Sequence, residues 1–194
     1  MITFAIAPAQ AGKVSFSPQA FQVFGNIDSG TTRPARARLS SLPDELRSRT
    51  ISFDTGLAPG SIIVRTGKRR LYYVLPDGKA IEYKVGVGKE GFTWSGTNRI
   101  SRKAEWPDWR PPREMILREA KRGRKIPAFM PGGPDNPLGA RALYIGDTEF
   151  RIHGTTQPGS IGRAMSSGCI RMMNEEVIDL YERVKVGALV VVED

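Results

Sequence analysis

Cysteine and histidine are nearly missing from this chain, which holds one of each, Cys169 and His153, in 194 residues. A single cysteine excludes an intramolecular disulfide, and one Cys with one His falls short of the three or four ligands of a structural zinc site. No apolar run approaches the ~20 residues of a membrane-spanning helix, so the chain is not expected to span a bilayer. Acidic residues are also in deficit: 20 Asp plus Glu face 29 Lys plus Arg, a formal charge of +9. That balance favours polyanionic surroundings, whether nucleic acid, anionic lipid or anionic wall polymer. No RNP-like motif, zinc-finger spacing or helix-turn-helix pattern accompanies the charge, so nucleic acid is not an expected partner. Arg33, Arg36, Arg38 and the Lys121 to Lys125 cluster read first as solvated surface.

What is present is the composition of a globular domain, with 40% hydrophobic and 25% charged residues. The opening residues run from a short apolar stretch into Ala9-Gln10-Ala11, the A-x-A form of a signal-peptidase site, and read as a signal remnant. Residues 12 to 59, rich in Ser, Thr, Pro and Arg, read as a basic arm with a short helix near Pro43 to Arg47. The division expected is therefore an N-terminal extension over 1–59 and one catalytic domain over 60–194.

Within that domain the pattern is mainly β. Short runs at Ser61 to Arg65, Arg70 to Leu75, Ala80 to Val87, Asn98 to Lys103, Ala142 to Ile145, Phe150 to His153 and Leu189 to Val192 predict strands. Pro76-Asp77-Gly78 predicts a hairpin turn between the second and third. Pro112 to Lys121 reads as a helix with Met115, Ile116 and Ala120 along one face. A second helix is predicted after Asn174, which would cap it, with Val177, Ile178, Tyr181 and Val184 as its buried stripe.

His153 closes a predicted strand, and Cys169 lies 16 positions later, just before the Asn174 helix. That separation is too long for one helix face and suits a loop folding back on the strand end. At a free thiol pKa of about 8.5 only a few per cent is thiolate at neutral pH, so a nucleophilic Cys169 needs a base, and His153 is the only imidazole. Gly168 allows close backbone approach and a free turn beside the thiol. Backbone N–H groups there could form an oxyanion hole. Composition and spacing alone leave both residues equally open to a structural role, an inert buried thiol and a satisfied strand-end histidine.

The run His153-Gly154-Thr155 followed by Ser166-Ser167-Gly168-Cys169-Ile170-Arg171-Met172 resembles the active-site signature of L,D-transpeptidases with a YkuD-type (ErfK/YbiS-like) catalytic domain. Gly60-Ser61-Ile62-Ile63-Val64, Trp94-Ser95-Gly96, Trp106 to Pro112 and Asn136-Pro137-Leu138-Gly139 agree in order, so the resemblance spans about Gly60 to Val192, roughly two thirds of the chain. It implies a mainly β (α+β) fold, a YkuD-type β-sandwich of mixed sheets with a few helices. It further implies Cys169 as nucleophile, His153 as base and the Gly154 carbonyl as the group orienting the imidazole. Gly168 and its neighbours would bind the oxyanion, and Arg171 would shape the site and steer stem-peptide carboxylates. Many relatives carry a second histidine where this chain has Ser167; Ser167 and Thr155 offer hydroxyls in its place. No metal and no organic cofactor is implied.

The implied reaction is transfer of peptidoglycan stem peptides to an amine to make 3-3 cross-links, in the periplasm or cell envelope, by an enzyme open to carbapenem acylation. A hydrolase or amidase on the same fold, or attachment of an outer-membrane protein to peptidoglycan, is the alternative. A wall-binding module with a vestigial site is a further rival, against which the intact Cys169 and His153 argue. Trp94, Trp106 and Trp109 read as core or loop anchors. The Pro131 to Gly139 loop and the Trp94 to Pro112 segment are the expected walls of a substrate cleft.

Overall fold

In a computed structural model of the chain, the structure describes residues 39, 42–90 and 94–194. The signal-like start and the Arg33 to Arg38 part of the expected arm lie outside them. Strands dominate: β1 (Arg49–Ser52), β2 (Ile62–Arg65), β3 (Arg70–Leu75), β4 (Lys79–Lys84), β5 (Val87–Gly88), β6 (Gly96–Glu105), β7 (Arg141–Ile145), β8 (Arg151–His153), β9 (Ala164–Ser166), β10 (Ile170–Arg171) and β11 (Leu189–Glu193). Two α-helices accompany them, α1 (Arg113–Lys121) and α2 (Asn174–Arg183). Nine strands form one curled mixed sheet in the order β1-β4-β3-β2-β11-β6-β7-β8-β10, and β5 pairs with β9 apart from it. The mainly β architecture read from the sequence is the one observed.

Register follows from which residues each strand must bury. In β2, Ile62 and Val64 face the main core with Leu71, Tyr83, Ile100, Leu143, Ile152 and Val190, while Ile63 points the other way. Adjacent strand residues alternate faces, so Ile63 joins a second cluster of Phe53, Tyr72, Val74 and Ala80. The β3–β4 hairpin turns through Asp77 and Gly78, both left-handed at φ 60° and 64°, a conformation that Asp and Gly tolerate.

Two expectations need correction. Arg49–Ser52 is not arm but an edge strand, β1, pairing antiparallel with β4 from Arg49↔Glu82 to Ser52↔Lys79. A 3-10 turn at Asp44–Leu46 precedes it, where the short helix was expected. Strand formation won because Ile51 and Phe53 find apolar partners on the outer cluster. The α2 stripe is also rotated: Glu176, Val177, Asp179 and Leu180 are its buried residues, while Ile178 and Tyr181 are only partly covered. In α1 no residue is fully buried: Met115 and Ile116 are partly covered and Ala120 is exposed.

Two buried acids on α2 explain the rotation. Asp179 accepts from the Tyr83 hydroxyl at 2.6 Å and from Arg183 at 2.8 and 3.0 Å. Glu176 accepts the Ser48 N–H at 2.6 Å, and burial, with lesser repulsion from Asp179 and Glu175, pushes its carboxyl up to about 7. A folded-state pKa above the unfolded one means that the native state binds the extra proton, so this group stabilises below about 4.5 and loses that contribution as pH rises through 7. Glu176→Gln keeps an acceptor for Ser48 without the charge. It should raise stability by roughly 1–3 kcal/mol at pH 8 and make no difference at pH 4. Thermal melts at both values check this, and a variant less stable at pH 8 would show that the buried charge is required.

Candidate active site

His153 ends β8 between two strands: Ala142 of β7 is its partner on one side and Arg171 of β10 on the other. β8 and β10 run parallel, with Ile152 opposite Ile170. Cys169 immediately precedes β10, so the thiol and the imidazole are carried on neighbouring strands. Because strand residues two apart share a face, Cys169 and Arg171 stand on the same face as Arg151 and His153. The fold thus carries the two residues on neighbouring strands, while the sulfur's own contact, at 3.7 Å, is with the Glu149 carbonyl.

The imidazole is buried, and its Nδ1 lies 2.6 Å from the Gly154 carbonyl oxygen. That oxygen only accepts, which assigns the neutral ring's proton to Nδ1, and the backbone of Leu138 meets the ring as well. Burial foremost, then the positive charge of Arg171, push the imidazole down to about 3, against the opposing pull of the Gly154 carbonyl. Burial pushes the Cys169 thiol up, while the Arg151 guanidinium and backbone and the Arg171 charge partly oppose it. Both trends favour a resting pair of neutral thiol and neutral imidazole. Two cations beside the sulfur nevertheless stand ready to offset a thiolate once it forms.

The turn that delivers the thiol is built from Ser166 to Gly168. Ser166 is buried; its hydroxyl donates to the Cys169 carbonyl at 2.5 Å and accepts the Gly168 N–H at 3.2 Å. Gly168 has φ 106°, a left-handed conformation that side chains rarely adopt. Its amide is therefore turned toward Ser166. Ser167 takes a 3.3 Å hydrogen bond from Arg118 of α1, which docks that helix on the nucleophile turn. Thr155 is buried, with its hydroxyl accepting the Gln157 N–H at 3.0 Å, and so braces the turn after His153. Arg171 is half-buried, and its backbone exchanges two 2.8 Å hydrogen bonds with Gly86.

Several residues of this site escaped sequence reading. Asn174 is the first residue of α2 rather than its cap; Met173 holds the cap position with no side-chain bond. The Asn174 Oδ1 instead accepts the Ala140 N–H at 3.0 Å, and it sits so close to Gly139 and Gly154 that a Cβ on either would collide with it. It ties the loop before β7 to the turn after the histidine. Asn136, also buried, closes the Pro131 to Gly139 loop by donating to the Met130 and Pro131 carbonyls at 3.1 and 2.9 Å. Ser166 had a usable signal, since a hydroxyl two residues before Gly168 invites a local side-chain turn. Asn174 had none, because its partners are remote in sequence.

A cleft of about 480 Å³ opens beside the site, lined by Arg102, Trp106, Pro107, Arg110, Tyr144 and Arg151 among others. Cys169 and His153 do not line it; Arg151 is the bridge between them and it. Trp106 and Pro107, from the Trp94 to Pro112 segment, form part of its wall, whereas the Pro131 to Gly139 loop, expected as the other wall, does not line it. Trp94 stacks on Phe150 with ring centroids 5.3 Å apart and packs against the core. Trp109 exchanges backbone bonds with Met130, closing the excursion that carries α1. No helix among the described residues is long and apolar enough to cross a membrane.

A curled mixed sheet presenting one thiol and one oriented imidazole on adjacent strands defines a class of candidate acyl-transfer catalysts. Residues 59–192 match the YkuD family model, the L,D-transpeptidase catalytic domain, and the chain belongs to that family. It is 41% identical over 138 residues to the probable L,D-transpeptidase ErfK/SrfK of Escherichia coli K12, covering 69% of this chain and 44% of that protein. The chain thus spans less than half the length of that relative. A solved structure from Brucella melitensis, described as a probable carnitine operon oxidoreductase, shares 45% identity at a TM-score of 0.51 and covers 80% of this chain and 97% of its own. L,D-transpeptidase 3 of Mycobacterium tuberculosis, solved with a faropenem-derived adduct, superposes at a TM-score of 0.53 with 13% identity, over 69% of this chain and 60% of its own. At that identity the likeness is one of fold.

Proposed function

We propose that this chain is a peptidoglycan L,D-transpeptidase of the cell envelope with Cys169 as its nucleophile. The observation that carries the reading is the imidazole on the strand beside the chain's one thiol, with Nδ1 held by the Gly154 carbonyl at 2.6 Å. As a tetrapeptide stem enters, Nε2 takes the Sγ proton and the sulfur attacks the carbonyl at the L-centre of meso-diaminopimelate. The oxygen that gains charge is met by backbone N–H groups at the nucleophile turn, foremost that of Cys169, with Arg171 nearby to offset it. Collapse expels the D-Ala amine, which leaves with the proton from the imidazolium, and a thioester remains on Cys169. An amine of a second stem then attacks the thioester, giving a 3-3 cross-link and returning the proton to the sulfur. No metal or organic cofactor enters these steps.

Digested wall material incubated with the enzyme should gain 3-3 linked dimers, resolved by mass analysis of the muropeptides. Thioesters react readily with unprotonated amines, and an acceptor held in place gains from proximity. The yield should fall at high salt, because the basic surface concentrates enzyme on anionic polymer. Trimmed tripeptides alone at saturating acceptor would mean that water resolves the thioester and the chain is a hydrolase.

A further inference from the structure

Three strands place one row of side chains at a single level of the sheet. Arg102 of β6 is opposite Tyr144 of β7, and Tyr144 is opposite Arg151 of β8. The parallel pairing of Ile152 with Ile170 puts Cys169, one residue earlier, at the end of the same row. The Arg102 guanidinium lies 3.6 Å and that of Arg151 5.5 Å from the centroid of the Tyr144 ring. Two cations therefore share one aromatic ring on the wall of the cleft. Arg110, stacked 4.4 Å over Phe129, adds a third to the same cleft.

The acids of the cleft are already engaged. Glu105 pairs with Arg141 at 3.0 Å, and Asp108 accepts the Gly132 N–H at 3.0 Å. Among the described residues no carboxylate forms an ion pair with Arg102, Arg110 or Arg151. Uncompensated like charges in a concave site repel one another, and an anion between them removes that cost. A guanidinium stacked on a ring keeps N–H groups for the grip that suits a carboxylate; Arg151 spends its Nε–H on the Glu149 carbonyl at 3.2 Å, which leaves its two terminal nitrogens for that grip. Adjacent strands lie about 4.8 Å apart, so Tyr144 stands roughly 10 Å from Cys169 along the row, the span of two to three residues of extended peptide.

We propose that the Arg102–Tyr144–Arg151 row, with Arg110 across the cleft, is a carboxylate subsite that grips a free carboxylate of an acidic peptide donor one to three residues from the scissile bond. The identity of that donor rests on the transpeptidase reading above; the binding preference does not.

The test is calorimetric titration of the full chain carrying Cys169→Ser with a tetrapeptide stem, once with free carboxylates and once fully amidated. The free peptide should bind about 10- to 100-fold more tightly. Arg102→Gln with Arg110→Gln should erase most of that preference while leaving the amidated peptide's affinity unchanged, which also verifies folding. Equal loss on both peptides, no preference at the outset, no binding of either, or competition by inorganic phosphate as strong as by acetate would overturn the subsite. Turnover of the two peptides by the unmodified chain separates the two readings. Preference in binding without product removes the transpeptidase but keeps the subsite, and turnover without preference does the reverse.

Discussion

Cys169→Ala should abolish turnover, by a factor on the order of 10⁴ to 10⁶, while the protein stays folded. The substitution removes the chain's only thiol, so nothing else can carry a thioester. Its structural cost is small. The side chain is half-buried, its sulfur makes only weak contacts, with the Glu149 carbonyl at 3.7 Å and with the Arg151 backbone, and the turn around it is held by Ser166 and Gly168. A shift of less than about 1 kcal/mol moves the melting midpoint of a domain this size by only ~2–4 °C. Intact-protein mass after treatment with tetrapeptide or a carbapenem should show an acyl adduct on the unmodified chain and none on the variant. Residual turnover above a few per cent, or an adduct mapped to another residue, would remove Cys169 from the mechanism.

His153→Gln should cost roughly 10³ to 10⁵ in turnover, since nucleophile and base act as a unit. Glutamine can still meet the Gly154 carbonyl, but it accepts no proton from sulfur. The pH dependence should be as telling as the magnitude. An ordinary imidazole would lose its lone pair near pH 6.5; this one, pushed down to about 3 by burial and Arg171, stays unprotonated through the mildly acidic range. The acid limb of kcat/KM should therefore sit well below pH 6. Stability follows the same sign. An unfolded chain takes a proton at His153 near pH 6.5 and the folded one does not until about 3, so the unfolded state gains and native stability falls as pH drops through that window. The variant lacks this penalty, and its melting midpoint should fall less than the unmodified protein's between pH 6.5 and 4. An acid limb at pH 6 to 7, or a glutamine variant with near-normal turnover, would point to another base.

Much of this molecule was readable before folding. The strands from β2 to β4, β7, β8 and β11 fell close to where alternation and β-branched residues put them, since each must bury one face and nothing competes with that demand. The Asp77-Gly78 turn followed from two residues that tolerate φ above zero. Cys169 and His153 stood out because each is the only one of its kind. Local pattern was less sufficient in α2, where apolar spacing alone does not put Glu176 and Asp179 on the buried face. Glu176 and Asp179 are buried because Ser48, Tyr83 and Arg183 meet them, and Ser48 and Tyr83 lie about a hundred residues or more away. The same blindness hid β1, whose partner β4 lies thirty residues on.

The sequence by itself determined the chemistry available: one thiol, one imidazole, a glycine beside the sulfur, and a β-rich body to carry them. Those are properties of residue type and short-range period, which covalent order preserves. Tertiary structure alone decided which groups surround the sulfur and in what protonation state they rest. The register of β6, β7, β8 and β10 lines Arg102, Tyr144 and Arg151 up with Cys169, and burial of His153 lowers its pKa. Strand pairing and burial depend on residues distant in the chain that share one face only after the sheet has closed, and no local period encodes that.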